Sequence, residues 1–191
     1  MKTLVLFLAV FVLGFSRGSA EEKREDGVSQ SGKIGWHVVE TNEDVDVLIS
    51  EADQGESAAN KLCDVPSLAN TKVFVSPDDS WIIVQSGGGS LGVTLRVFKR
   101  ENGMLYPEVS KLDITGAVLK SAFDGDASGA EKLDHVYTRL IEWSADSKSI
   151  LVSVSGHGGG RTLSPSFAIY DLASQSIGFD LTKFNAKPAH R

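Results

Sequence analysis

Ser76-Pro77-Asp78-Asp79-Ser80-Trp81-Ile82-Ile83-Val84 aligns without a gap on Ser144-Ala145-Asp146-Ser147-Lys148-Ser149-Ile150-Leu151-Val152, 68 residues further along the chain. Four of the nine positions are identical: serine, aspartate, isoleucine and valine. In each copy a turn leads into a β-prone run. Pro77 presets φ for the first central position of a β-turn, and Trp-Ile-Ile-Val or Ile-Leu-Val suits a pleated, half-buried surface. Both runs then meet a glycine tract, Gly87–Gly89 and Gly158–Gly160. Both resume in a strand carrying an aliphatic–aromatic pair, Val97-Phe98 and Ile169-Tyr170, now 72 residues apart. Each copy closes with a turn and a fourth strand, expected over Met104–Val109 and Ser176–Leu181. Asn102-Gly103 is the strongest short hairpin signal in the chain.

Four short antiparallel strands, joined by tight turns and repeated, are the unit of a β-propeller blade. Such a unit has to stack on a neighbour to cover its faces. The run Trp143 to Val152, followed by Ile169-Tyr170-Asp171-Leu172, resembles a TolB-like or WD-type propeller repeat. In that family a Trp-Ser-Pro-Asp-Gly-Lys segment makes the turn between a blade's first two strands. Here alanine stands for the proline and serine for the glycine. The earlier copy keeps Ser76-Pro77-Asp78 and has valine for the tryptophan. The resemblance implies a mainly β fold of propeller-like, antiparallel four-stranded sheets, with repeat units at 71–109 and 140–182, and implies no particular activity. Blades of about 40–45 residues, in rings of about 4 to 8, allow at most about four here. The expectation is a small multi-sheet domain with helices covering an open edge, or blades completed by another copy of the chain.

Those helices form an expected insertion at 113–142. Ile114, Val118, Leu119 and Phe123 have helical spacing, and Leu133, Val136, Tyr137, Leu140 and Ile141 follow i, i+3, i+4, i+7, i+8. Ser128-Gly129-Ala130-Glu131 has the form of a capping box. Upstream, Ile34–Glu40 and Val45–Ser50 predict two strands around Thr41-Asn42-Glu43-Asp44, half of a third unit. Residues 51–70 read as irregular, with Gly55 and Pro66 as breakers. Residues 21–33 read as a flexible leader and 183–191 as a tail, leaving 34–182 as a single domain.

Residues 1–20 have the layout of a secretory signal peptide. Lys2 precedes an apolar run from Leu4 to Phe15, and Gly18-Ser19-Ala20 offer a cleavage site. The run is shorter than the ~20 residues of a spanning helix. A secreted or periplasmic protein, with no membrane span after cleavage, is expected. Without residues 1–20 the chain keeps 17 of its 19 basic residues and all 25 acidic ones, so its net charge moves from −6 to −8. An acidic chain with scattered Lys and Arg excludes nonspecific nucleic-acid binding. Cys63 is the only cysteine, which excludes an intramolecular disulfide and Cys-rich metal sites.

The function expected is a non-enzymatic binding module contacting a protein or surface polymer through inter-strand loops at 86–92 and 155–165, since rigid sheets commonly present such loops. Trp81, Arg96, His157 and Arg161 are the candidate contact residues. Exposed sheet edges make homodimerisation an alternative. No cofactor is expected, and no catalytic residue is assigned. Two patterns point elsewhere. Gly88-Gly89-Ser90-Leu91-Gly92 has the Gly-x-Ser-x-Gly form and His157-Gly158-Gly159-Gly160 the form of an oxyanion loop, which together suggest a small hydrolase using Ser90 and His157. However, the nucleophile elbow needs a helix after the serine, and Val93–Lys99 is β-prone. Asp124, Asp126 and Ser128 stand at positions 1, 3 and 5 of a calcium-loop pattern, with His135 where a bidentate Glu belongs. No other metal site is expected, because the four histidines show no metal-ligand spacing in sequence.

Overall fold

The computed structural model describes residues 23–41, 44–88, 92–110, 112–123 and 132–178. These form eleven strands and one α-helix: β1 (Lys23–Val28), β2 (Ile34–Glu40), β3 (Val45–Glu51), β4 (Asn60–Val65), β5 (Lys72–Val75), β6 (Trp81–Gly87), β7 (Gly92–Lys99), α1 (Ile114–Ala122), β8 (His135–Trp143), β9 (Ser149–Gly158), β10 (Arg161–Asp171) and β11 (Ser176–Gly178). β1 to β4 make a four-stranded antiparallel meander, and β5 to β11 lie in chain order in a seven-stranded sheet. The larger sheet is two antiparallel units, β5–β7 and β8–β11, joined where β7 and β8 run parallel over only two residue pairs, Gly92–Val136 and Val93–Tyr137. The expectation of a mainly β chain holds. No closed ring of sheets is formed among the described residues.

The β5–β7 unit is buried on both faces. On β6, Ile82 and Val84 join one core with Ile34, Val38, Val47, Ile49 and Cys63 of the meander and Phe98 of β7. Ile83, between them in sequence, joins a second core with Val97 of β7, Leu140, Ile150, Val152, Ala168 and Tyr170 of the β8–β11 unit, and Ile114, Val118 and Leu119 of α1. The continuous apolar run Trp81–Val84 is what a strand covered on both sides requires. The chain thus stacks three sheet units, the meander and the two halves of the larger sheet, with α1 in the wedge between those halves. Asp113 caps α1 by accepting from the Gly116 N–H at 2.8 Å, and the Thr115 hydroxyl lies 2.8 Å from that of Thr138 on β8.

The two aligned stretches form corners of the same geometry. In the first, the Ser76 N–H donates to the Trp81 carbonyl and the Asp79 N–H to the Ser76 carbonyl, both at 2.9 Å. The Ser76 hydroxyl donates to Asp78 Oδ1 (2.8 Å) and accepts from the Trp81 N–H (2.9 Å). In the second, Ser144, Asp146, Ser147 and Ser149 repeat each of these bonds, at 2.7–2.9 Å. Asp79 and Ser147 both have φ of 60°, at the position where the resembled family carries glycine. The corners also meet each other, because the Asp78 N–H donates to the Ser147 hydroxyl at 3.1 Å. Asp79, only 2% exposed, ties the first corner to the meander. Its Oδ2 accepts from the Ser31 hydroxyl at 2.6 Å, and its backbone carbonyl accepts from the Tyr106 hydroxyl, also at 2.6 Å.

Four expectations are corrected. The helix expected over 133–141 is strand β8. This segment is rich in β-branched and aromatic residues and pairs antiparallel with β9, and a shift between Leu140 and Glu142 inserts one residue. Val136 and Leu140 face the core, Tyr137 faces the other side and the bulge adds Ile141, so apolar residues on both faces of one strand together mimic a helical spacing. The helical insertion is therefore α1 alone. The flexible leader contains β1, an exposed polar edge strand held to β2 by its backbone. Its Arg24 bonds Asp26 bidentately and reaches Glu56 at 2.7 Å, and the Trp36 ring lies so close over Gly27 that a Cβ there would collide with it. Residues 60–65, read as irregular, form β4, which completes the half unit seen at 34–50 into a full meander. Finally, Met104–Val109 returns along β7 through isolated bridges at Asn102–Leu105 and Phe98–Glu108 instead of as a ladder. Pro107 has no N–H to contribute there. On β11 only Ser176–Gly178 falls within the described residues.

These contacts set measurable expectations. Ala145 sits where Pro77 sits in the first corner, so Ala145→Pro raises stability by about 0.5 kcal/mol. Ser144→Ala strands the buried Ser149 N–H and lowers stability by about 2 kcal/mol. Thermal or denaturant melts of both variants check the pair, and a destabilised Ala145→Pro contradicts the shared turn geometry. Beyond the two parallel pairs β8 diverges from β7, and the Leu140 N–H donates instead to the side-chain carbonyl of the buried Gln85 at 3.0 Å. Gln85→Leu is expected to cost about 1–3 kcal/mol in the same measurement. Burial would raise the Asp78 carboxyl, but bonds from the Ser80 N–H and from the Ser76, Ser80 and Ser147 hydroxyls outweigh it and hold it below its ordinary value. A carboxylate lowered by folding contributes stability above its unfolded pKa of about 3.9 and loses it as pH falls through the folded value. The melting temperature should fall with acid below about pH 4, and less steeply in Asp78→Asn. Equal acid slopes in the two proteins would contradict this.

Candidate functional site

Both glycine tracts come to the end of the stack where β8 begins. Gly92 has φ of 109°, and a Cβ there would collide with the Val136 carbonyl. Gly158 has φ of 145° and lies as tightly against the backbone of Asp134, whose Oδ2 accepts from the Gly159 N–H at 3.3 Å. Gly92, at the start of β7, and Gly158, at the end of β9, are thus where the chain passes close to a third backbone, which only a residue without a side chain permits. Ser90 lies outside the described residues. The element that follows it is strand β7, so β6 and β7 do not form the strand-turn-helix setting of a nucleophile elbow. Asp124, Asp126 and Ser128 also lie outside the described residues, and the element that follows them is β8, not a second helix.

The four candidate contact residues do not converge. Trp81 stands at the corner end of β6, partly buried against the second core, with Lys99 Nζ 5.1 Å from its ring centre. Arg96, opposite Val84 in mid-sheet, is committed to structure. It holds Glu108 bidentately at 2.9 and 2.6 Å and donates to the Asp64 carbonyl at 2.9 Å, which fastens β7 to β4. Hydrogen bonds to Glu108 raise its own pKa against the opposing effect of burial. His157 and Arg161 lie together at the glycine end, both exposed. Cys63 is fully buried in the first core, and burial pushes its thiol up to about 11, which keeps it a neutral thiol.

What the fold does assemble is the outer face of the third sheet. On β8, Thr138 and Leu140 point into the core while His135, Tyr137 and Arg139 point away from it. On β9, Ile150, Val152 and Val154 point inward and Ser153, Ser155 and His157 outward. Strand register sets these into rows: His135 with His157 and Thr162, Tyr137 with Ser155, and Arg139 with Ser153 and Phe167. Phe167 is 58% exposed, and Ile141, displaced by the bulge, is 49% exposed. The His135 and His157 rings stack with centres 4.6 Å apart and planes at 28°, and Tyr137 stacks on His157 at 5.9 Å.

The outer face of the meander has a different character. Arg24 with Asp26 and Lys61 with Asp46 lie there in ion pairs, and His37 is hydrogen-bonded to Asp26. His37 Nδ1 is 2.7 Å from Asp26 Oδ1, and Lys61 Nζ is 2.8 Å from Asp46 Oδ1. The Arg24 and His37 hydrogen bonds hold Asp26 below the usual carboxylate range, Arg24 having the larger effect and burial opposing both. One end of the stack is thus closed by mutually satisfied charges, and the other presents aromatic, aliphatic and imidazole groups.

Sequence reading found His157 and Arg161 but missed His135, Tyr137, Arg139, Ile141 and Phe167. The signal available was the alternation His135-x-Tyr137-x-Arg139, hidden by the helical reading of the same residues. Comparison of the chain with family models, with curated proteins and with solved structures finds no match in any of the three.

Proposed function

We propose that this protein is an exported, propeller-like binding module without enzymatic activity, and that it contacts a protein or surface polymer through the outer face of β8–β10 and the adjoining glycine connections. The observation that carries the reading is the exposure of Phe167 and Ile141 beside Arg139 on a rigid sheet. Large exposed apolar groups next to arginine are the composition of interface cores, where a few such residues supply most of the binding energy. A sheet presents them with little conformational entropy to lose on binding. Relative to the notion of loops as the contact surface, the emphasis moves to strand residues, and of the four candidate contact residues His157 and Arg161 remain. Export rests on the signal-like residues 1–20, and the propeller-like description on the two matched corners and the stacking of sheets. A second copy of the chain is one partner that this face suits.

The test is co-sedimentation of the purified protein with the surface fraction of the producing cells, together with its molar mass in solution. The wild type is expected to bind saturably, and the double variant Arg139→Glu/Phe167→Asp to bind at least ten-fold more weakly, with an unchanged melt. Lys23→Glu, at the opposite end of the stack, should leave binding as it was. If the partner is a second copy, the wild type has twice the chain mass and the double variant does not. Equal binding and equal mass in the wild type and the double variant reject the reading.

A further inference from the structure

Asn102 and Gly103 form the tip of the hairpin that leads the chain back along β7. The Leu105 N–H donates to the Asn102 carbonyl at 2.8 Å and the Glu101 N–H to the Leu105 carbonyl at 3.0 Å, which fixes the turn. Gly103 takes a φ of 46°, and nothing lies within 4 Å of where its Cβ would be. Both residues are exposed. Among the described residues neither the Asn102 carboxamide nor the Gly103 N–H meets a hydrogen-bond partner. A free carboxamide is thus followed by a free backbone nitrogen whose residue carries no side chain to hinder its approach. Of the chain's five asparagines, only Asn102 precedes a glycine. Asn60 and Asn70 are also exposed but lack this arrangement. Asn60 precedes Lys61, which stands opposite Leu48 in the β3–β4 ladder, and Asn70 precedes Thr71, whose N–H is held by the Leu68 carbonyl at 3.0 Å.

We propose that Asn102 is a site of spontaneous modification, converted by water to aspartate and isoaspartate in the folded protein. The Gly103 nitrogen gives up its proton to hydroxide or another base in solution and attacks Asn102 Cγ. The N–Cγ bond forms, the Cγ–Nδ2 bond breaks, and Nδ2 takes up a proton and leaves as ammonia. A five-membered succinimide remains, and water opens it. Cleavage between N and Cγ restores the ordinary peptide with aspartate in place of asparagine. Cleavage between N and the backbone carbonyl carbon of residue 102 gives isoaspartate. The sum is asparagine plus water to carboxylate plus ammonia. Isoaspartate puts one extra methylene into the backbone and turns the carbonyl that receives the Leu105 N–H into a charged branch. The hairpin so altered carries Met104, packed on the first core, and Tyr106, whose hydroxyl holds the Asp79 carbonyl.

The experiment is incubation of the purified, folded protein at mildly alkaline pH, with digestion and mass spectrometry at intervals and an isoaspartate-specific methyltransferase assay. Asn102 is expected to convert at least ten-fold faster than Asn60 and Asn70, and each event adds one negative charge on isoelectric focusing. The rate should fall in mild acid, where the attacking nitrogen keeps its proton. Asn102→Gln should abolish the conversion, since a side chain one methylene longer has to close a less favoured six-membered ring. Gly103→Ala should slow it at least ten-fold, because the added methyl group crowds the attacking nitrogen. Melts taken beforehand establish that both variants fold. A rate at Asn102 in the folded protein no greater than at Asn60 and Asn70 overturns the proposal. Conversion confined to the urea-denatured chain overturns it too, since the turn then protects the site. So does a gain in charge that persists in Asn102→Gln, or a rate unslowed in Gly103→Ala.

Discussion

Ile82 and Ile83 are neighbours on one strand, are both fully buried, and point in opposite directions. A strand with that property cannot belong to a two-layer protein whose sheets each show one face to water. It requires a sheet on either side, and the rest of the chain supplies them. The meander covers the face of Ile82 and Val84, while β8–β11 and α1 cover that of Ile83. Each of these side chains is worth about 1.5–3 kcal/mol in apolar area removed from water, so the middle sheet holds its neighbours more firmly than they hold each other.

Stacked sheets also need a fixed angle and register, and here polar groups take over from apolar ones. Each corner serine uses its hydroxyl both to donate to an aspartate and to accept from a strand N–H. The turn is thereby closed from inside, with its buried donors satisfied. A left-handed residue follows in each copy, Asp79 in one and Ser147 in the other. Glycine would be the unstrained choice there, but it would forfeit a function that each side chain performs. Asp79 accepts from Ser31 of the meander, and Ser147 accepts from Asp78 of the other corner. These two left-handed side chains are thus where the three sheet units are pinned together.

The corners, β2, β3, β6, β7 and the seat of α1 were legible in the sequence because local signals agree there: period-two alternation, a proline or aspartate turn, a glycine break. Three segments were not. β1 is polar along its whole length and is a strand only because β2 offers it a ladder. β4 lies between the breakers Gly55 and Pro66 and shows little alternation. β8 carries apolar residues on both of its faces and one more at its bulge, which together give an apparent period near 3.6, and taking it for a helix hides the most. With 133–141 taken as a helix, His135 and His157 look unrelated, Arg139 looks like a solvated charge, and the outer face vanishes. The site was illegible because it exists only across strands, where sequence separation carries no information.

The seam between β7 and β8 follows from the same divergence. By hydrogen-bond connectivity the seven strands are one sheet, yet between the units run two parallel pairs, the bond from the Leu140 N–H to the Gln85 side chain and the corner bond from the Asp78 N–H to the Ser147 hydroxyl. The two halves are therefore joined by few hydrogen bonds and held face to face by the apolar core in which α1 is wedged. The joint between the units is accordingly an apolar one, with a glycine, a glutamine and one corner contact setting its register.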